Sequence, residues 1–110
     1  MKQLLFVILQ NSDQAHCLFK ELHARGYNGT TASTSSISRT LLDDPTFEPM
    51  IGNLRQVVNS GFESNISLYI ILDESRVEEV QALIRKYTEN FQGTHGGMAV
   101  IPLIKFEGSF

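Results

Sequence analysis

Residues 35 to 64 separate two segments that each read as strand, helix and strand, and this separation limits the folds open to the chain more than any other feature. Connections in compact domains rarely exceed roughly 12 to 15 residues unless they are functional or disordered, and this one is about twice that. It opens with Ser35-Ser36-Ile37-Ser38-Arg39-Thr40, passes through Asp43-Asp44-Pro45, and carries Phe47, Met50, Ile51, Leu54, Val57 and Val58. A simple tether needs no such apolar groups. The stretch therefore reads as an excursion that orders against a ligand, a partner protein or a neighbouring subunit, with a plain surface insertion as the alternative. Within it, Pro49 followed by Met50, Leu54 and Val57 or Val58, closed by Gly61, fits a short helix, while Gln56-Val57-Val58 fits a strand equally well.

The chain has 110 residues, 42% of them apolar, which is enough for one domain with a single hydrophobic core. Its formal charge is -3 with nine Lys plus Arg, so there is no basic field to hold a nucleic acid, and none is expected as a partner. The apolar run Leu4 to Leu9 is far shorter than the roughly 20 residues that span a bilayer, and no small-residue cleavage site follows it. These features predict a soluble, cytoplasmic protein. The single cysteine, Cys17, allows no intrachain disulfide and fits a reducing compartment.

Lys2 to Gln10 has the continuous apolar pattern of a central strand. A helix is expected from Asn11, whose side chain can cap it, with Ala15, Leu18, Phe19 and Leu22 on its buried face and Gly26 as its stop. Tyr27 to Thr34, rich in Thr, reads as a second strand. Asn65 to Leu72 alternates, with Ile66, Leu68, Ile70 and Leu72 on one face and Ser67, Tyr69 and Ile71 on the other. The next helix is capped by Asp73 or Ser75, and its predicted stripe is Val77, Val80, Ile84, Tyr87 and Phe91. Residues 92 to 97 break it. Met98 to Phe106 is the last strand, and Pro102 places it at an edge, a bulge or a subunit boundary.

The order of elements is the split βαβ arrangement, so the expected class is α+β: a ferredoxin-like βαββαβ sandwich with a long loop between strands two and three. Two helices cover one sheet face. The second face also carries apolar residues from the first and last strands, and self-association is its simplest cover.

Signals of catalysis are weak. No nucleophile elbow, Walker lysine or His-Glu-x-x-His stands in the sequence, so no enzymatic activity and no cofactor are expected. The soft metal ligands are His16, Cys17, His23 and His95, but His16 and His23 are about 10 Å apart along a helix, too far to share one ion. Cys17 is expected to pack near the helix edge. Asp73 and Glu74 are explained by a helix start. Anion and base recognition remains: the turn Gly93-Thr94-His95-Gly96-Gly97 offers closely approachable amides, and Thr30 to Ser36 followed by Arg39 supplies hydroxyls and one cation.

Three pieces resemble the trimeric PII-like signalling proteins, which include nitrogen-regulatory PII and the PII-like cyclic di-AMP receptor. Gly26-Tyr27-Asn28-Gly29-Thr30-Thr31 is similar to the Gly-x-x-Gly-x-Thr that enters the second strand of nitrogen-regulatory PII. Ala32-Ser33-Thr34-Ser35-Ser36-Ile37 is similar to the start of the receptor's ligand loop, with Ser35-Ser36 where the receptor has glycines. Gly96-Gly97, Val100-Ile101-Pro102-Leu103 and Phe106 resemble the receptor's ending. The order of elements matches over essentially the whole chain, and residues 35 to 64 stand where the family has its target-contacting T-loop. Gly97 and Met98 occupy the place of the lysine that meets the triphosphate in nitrogen-regulatory PII, only Lys105 lies near its arginine pair, and residues 35 to 64 hold no tyrosine to match the uridylylated one.

The resemblance implies a homotrimer that senses a nucleotide-like effector, either an adenine nucleotide or a cyclic dinucleotide, in clefts between subunits. It further implies signalling to a target protein, a membrane-associated one included. The expected ligand residues are Thr31, Ser33, Thr34, Ser35 and Arg39 from one side of the cleft, with Gly96, Gly97 and Met98 from the other. A CutA-like trimer of the same fold, binding a divalent metal or serving as a structural assembly, is the alternative.

Overall fold

The computed structural model describes residues 1–10, 12–35, 37, 41, 65–93 and 95–109. Strand β1 (Lys2–Leu9) leads to helix α1 (Ser12–Ala24) and strand β2 (Thr30–Thr34); strand β3 (Asn65–Asp73) leads to helix α2 (Glu74–Thr88) and strand β4 (Gly97–Pro102). The sheet order is β2-β3-β1-β4, and each neighbouring pair is antiparallel. This is the expected ferredoxin-like α+β sandwich. Apart from Ser35, Ile37 and Leu41, the excursion falls outside the described residues, as do the helix-or-strand question at 49–61, the Asn11 cap, Thr94 and Arg39.

Side-chain alternation divides the sheet into two unlike faces. On β1, Leu5, Val7 and Leu9 are buried towards the helices, and on β3 Leu68, Ile70 and Leu72 join them. Ala15, Leu18 and Leu22 of α1, with Val77, Val80, Leu83 and Ile84 of α2, complete this core. Burying such a side chain is worth about 1.5–3 kcal/mol, so this layer accounts for most of the fold's hydrophobic stabilisation. The other face carries Leu4, Phe6 and Ile8 opposite Ile71, Tyr69 and Ser67, with Ile101, Ala99 and Gly97 on the β4 side. Neither helix covers it. Leu4, Phe6, Ile8 and Ile71 are half-buried, while Tyr69 and Ile101 are exposed.

The helix ends follow local rules. Gly26, at φ +85°, closes α1: its N–H donates to the His23 carbonyl at 3.0 Å and that of Tyr27 to the Leu22 carbonyl at 2.9 Å. Asp73 is the residue that caps α2, accepting from the Ser75 backbone N–H at 3.3 Å and the Ser75 hydroxyl at 2.7 Å. These two bonds, the hydroxyl's first, hold the Asp73 carboxyl below its ordinary pKa. Cys17 is exposed, one position before the buried Leu18, so it does not pack as expected.

Helix α2 ends earlier than its apolar pattern predicts. The Thr88 hydroxyl donates to the Ile84 carbonyl at 2.6 Å, and Glu89 then turns left-handed at φ 53°. Asn90 and Phe91 follow at φ 59° and 60°, a left-handed turn that costs about 1–2 kcal/mol per L-residue. Phe91 thus packs against the core from this turn and not from the helix. The helices are joined at their solvent side, where the Tyr27 hydroxyl donates to Glu79 and Arg25 reaches Glu79 at 2.8 Å and Glu21 at 3.0 Å. Among the described residues, no helix is long and apolar enough to cross a membrane.

Candidate functional site

Strand β4 starts beside β1, and the approach requires glycine. A Cβ on Gly96 would lie 2.5 Å from the Ile8 carbonyl oxygen, so only glycine lets the chain pass there. The preceding turn is fixed by Gln10, whose Oε1 accepts the His95 backbone N–H at 2.9 Å. Gly97 differs from Gly96. It pairs with Ile8 on the helix-free face, and a Cβ there would meet nothing within 4 Å among the described residues.

The space above Gly97 belongs to a pocket of about 400 Å³. Phe6 and Ile8 of β1, Asn65 of β3 and residues 95–99 line it. Met98 pairs with Val7 and packs against the helix-side core, so in the pocket it contributes main chain. Asn65 pairs with Thr34, which places both at the same end of the helix-free face. Thr34 is half-buried, and its hydroxyl oxygen is buried with no hydrogen-bond partner among the described residues.

The expected ligand residues separate into two groups. Gly96, Gly97 and Met98 come together at this pocket. Thr31, Ser33, Thr34 and Ser35 lie on or just past β2, at the opposite sheet edge, with β3 and β1 between. Three strand spacings of about 4.8 Å put the two edges roughly 14 Å apart. Thr31 and Ser33 pair with Leu68 and Ile66 and so face the helix side, and Thr31 lines a smaller cavity of about 190 Å³ with Phe19, Leu22 and Tyr27. Thr34 alone shares a face with Gly97. Ser35 is exposed, and Arg39 lies outside the described residues.

Asn65, Phe6 and Ile8 line the pocket without having been singled out from the sequence. Phe6 and Ile8 alternate with the buried Leu5, Val7 and Leu9, a period that the unbroken apolar run from Leu4 to Leu9 hides in the sequence. Asn65 carried no signal beyond its place at the start of an alternating strand. Among the described residues, no three His, Cys, Asp or Glu side chains gather as metal ligands.

No protein-family model and no curated protein matches the sequence. Solved structures do match its fold. A functionally unknown protein from Pediococcus pentosaceus ATCC 25745 is 18% identical with a TM-score of 0.64, covering 98% of this chain and 97% of its own. A DUF3240 family protein from Shewanella baltica OS155 is 14% identical with a TM-score of 0.63, covering 99% of this chain and 96% of its own. At these identities the likeness extends to the fold alone.

Proposed function

We propose that this chain is a PII-like signal-transduction protein: a cytoplasmic homotrimer that binds a nucleotide-type effector between subunits and acts on a target protein through residues 35–64. The effector is an adenine nucleotide or a cyclic dinucleotide, and the role is regulatory, not catalytic. One observation carries the reading. The hydroxyl-bearing residues of β2 and the glycines of β4 lie at opposite sheet edges, with an apolar face between them that neither helix covers. A second copy at that face would bring the β2 edge of one chain to the β4 edge of another, and would remove Phe6, Tyr69, Ile71 and Ile101 from water. Parts of the segments that resemble the family, Thr30 to Thr34 and Gly97 to Pro102, form these same edge strands.

The test is a thermal-shift screen of the purified protein against ATP, ADP, cyclic di-AMP and divalent metals, run beside sedimentation. A ligand at 100 times its Kd adds about 2.7 kcal/mol of stability to the state that binds it. A three-chain species stabilised by one nucleotide class is the expected result. A concentration-independent monomer that responds to no nucleotide overturns the proposal. Stabilisation by a metal alone supports the CutA-like alternative, to which the described residues bring no ligand cluster.

A further inference from the structure

We infer that the cavity beside β2 is filled by Ile104 from the C-terminal arm of a second copy, so that each chain offers a knob past one sheet edge and a hole at the other. The inference rests on the assembly proposed above and deepens it by naming the residue that one subunit lends to the next; it does not depend on the effector.

The hole lies where α1 stops short of β2. Phe19 and Leu22 of α1, Tyr27 beyond its end, and Leu68 and Ile70 of β3 line the cavity of about 190 Å³, with the exposed His23 among them. On its β2 side, Thr30 to Ser33 are all exposed. An apolar cavity of about 150 Å³ holds a benzene-sized group, so this one admits an isoleucine side chain.

The knob lies past the opposite edge. The Leu103 N–H donates to the Lys2 carbonyl at 3.1 Å, which fixes Leu103 beside β1. Ile104 comes next and is wholly exposed, more so than any other large apolar side chain among the described residues. Its own chain cannot bury it in this cavity: the edges are roughly 14 Å apart, and one residue of extended chain spans at most about 3.6 Å. The two features nevertheless share one end of the sheet. Val100, Leu5 and Ile70 form a cross-sheet row, and Ile70 lines the cavity, so the arm leaves β4 only a few residues past the cavity's level. A rotation axis running along the strands keeps that end in common between copies and brings the arm of one to the cavity of the next.

Backbone pairing prepares β2 to receive the arm. The bond from the Glu74 N–H to the Met1 carbonyl at 2.9 Å sets the phase of the ladder. Odd-numbered residues of β3 therefore turn their backbone to Thr30, Ala32 and Thr34, and the N–H and C=O groups of Thr31 and Ser33 point off the sheet. β2 carries no lysine, proline or bulge of the kind that blunts an edge. On β4 the Leu103 bond puts Pro102 in the outward phase, where its missing N–H interrupts the edge. An extended arm can add to β2 main chain to main chain while Ile104 enters the cavity.

Sedimentation of the full chain and two variants tests the assignment. Ile104→Asp removes the knob and His23→Trp fills the mouth of the hole; both positions are exposed, so far-UV circular dichroism should match the parent. Each variant alone should dissociate at concentrations at least about tenfold higher than the parent, as the loss of one buried aliphatic side chain implies. Mixed in equal amounts, the two should form a two-chain species, because Ile104 of the His23→Trp chain can still enter the open cavity of the Ile104→Asp chain. A role of either residue within its own chain gives no such complementation. Thr31→Trp blocks the same cavity from the β2 side if His23→Trp does not fold. Parent-like assembly by Ile104→Asp, or a mixture that sediments as the sum of its parts, overturns the arm assignment and leaves the assembly standing. A parent that stays monomeric at every concentration overturns both.

Discussion

Phe6 and Tyr69 are cross-strand partners on β1 and β3, with ring centroids 5.1 Å apart and planes tilted by 39°, on the sheet face that neither helix covers. An aromatic pair in this geometry is worth about 0.5–1.5 kcal/mol beyond its area burial. It lies between the polar end of the face at Asn65 and the aliphatic end at Leu4, Ile71 and Ile101. The proposed subunit contact and the pocket above Gly97 therefore share one surface, and substitutions can separate them.

Ile101→Lys puts a charge on the exposed aliphatic end, away from the pocket residues. Under the trimer proposal, sedimentation should show the variant shifting to monomer at concentrations where the parent holds three chains. Far-UV circular dichroism should stay unchanged, since Ile101 makes no part of the helix-side core. A variant that sediments as the parent does would remove this end of the face from the contact.

Leu5→Ala should cost about 2–5 kcal/mol in urea unfolding, because Leu5 is fully buried between the sheet and both helices' apolar stripes. Leu4→Ala, one residue away on the half-buried face, should cost less in a dilute, dissociated sample. Equal losses would contradict the two-faced sheet.

Gly29→Ala is expected to be far more damaging than Gly97→Ala. A Cβ on Gly29 would sit 2.6 Å from the Tyr69 carbonyl oxygen and 2.8 Å from Ile70 Cγ1, so backbone must shift, whereas Gly97 has nothing within 4 Å among the described residues. Overpacking of this kind costs about 1–3 kcal/mol. Thermal unfolding of the two variants side by side checks the order.

Acid should weaken the tie between the helices. Glu79 is held below the ordinary carboxylate range, first by the Tyr27 hydroxyl and then by Arg25. A carboxyl whose folded pKa is depressed contributes stability above its unfolded value of about 4.3, and that contribution is lost as pH falls through the folded pKa. Asp73 acts in the same direction through Ser75. Tyr27 has the opposite sense: burial, then Glu79, raises its pKa, so its contribution is present below about pH 10 and lost as pH rises through the folded value. Tyr27→Phe should therefore show a shallower loss of stability than the parent both below about pH 4 and above about pH 10. Parallel pH profiles would show that this contact has no part in acid or alkaline unfolding.

Much of the architecture was legible in local pattern. The alternation from Ile66 to Leu72 specified which β3 residues enter the core, and Ala15, Leu18 and Leu22 at helical spacing specified the buried face of α1. Gly26 specified where that helix stops, and Pro102, which allowed an edge, a bulge or a subunit boundary, stands at the end of an edge strand. Each of these follows from periodicity or from one residue's backbone preference, which neighbours in the chain suffice to express.

Tertiary structure decided what depends on strand order and register. Thr31 and Thr34 are three residues apart in one hydroxyl run, yet strand alternation turns Thr31 to the helix side and Thr34 to the open face. Asn65, Phe6 and Gly97 come from three strands and meet only because β1 lies between β3 and β4 in this register. The end of α2 was also decided there, where Glu89, Asn90 and Phe91 leave the helical region although the apolar period continues to Phe91. Local pattern reports which face a residue takes along its own strand or helix; which residues share a pocket is set by pairing between distant segments, and no single stretch of sequence carries it.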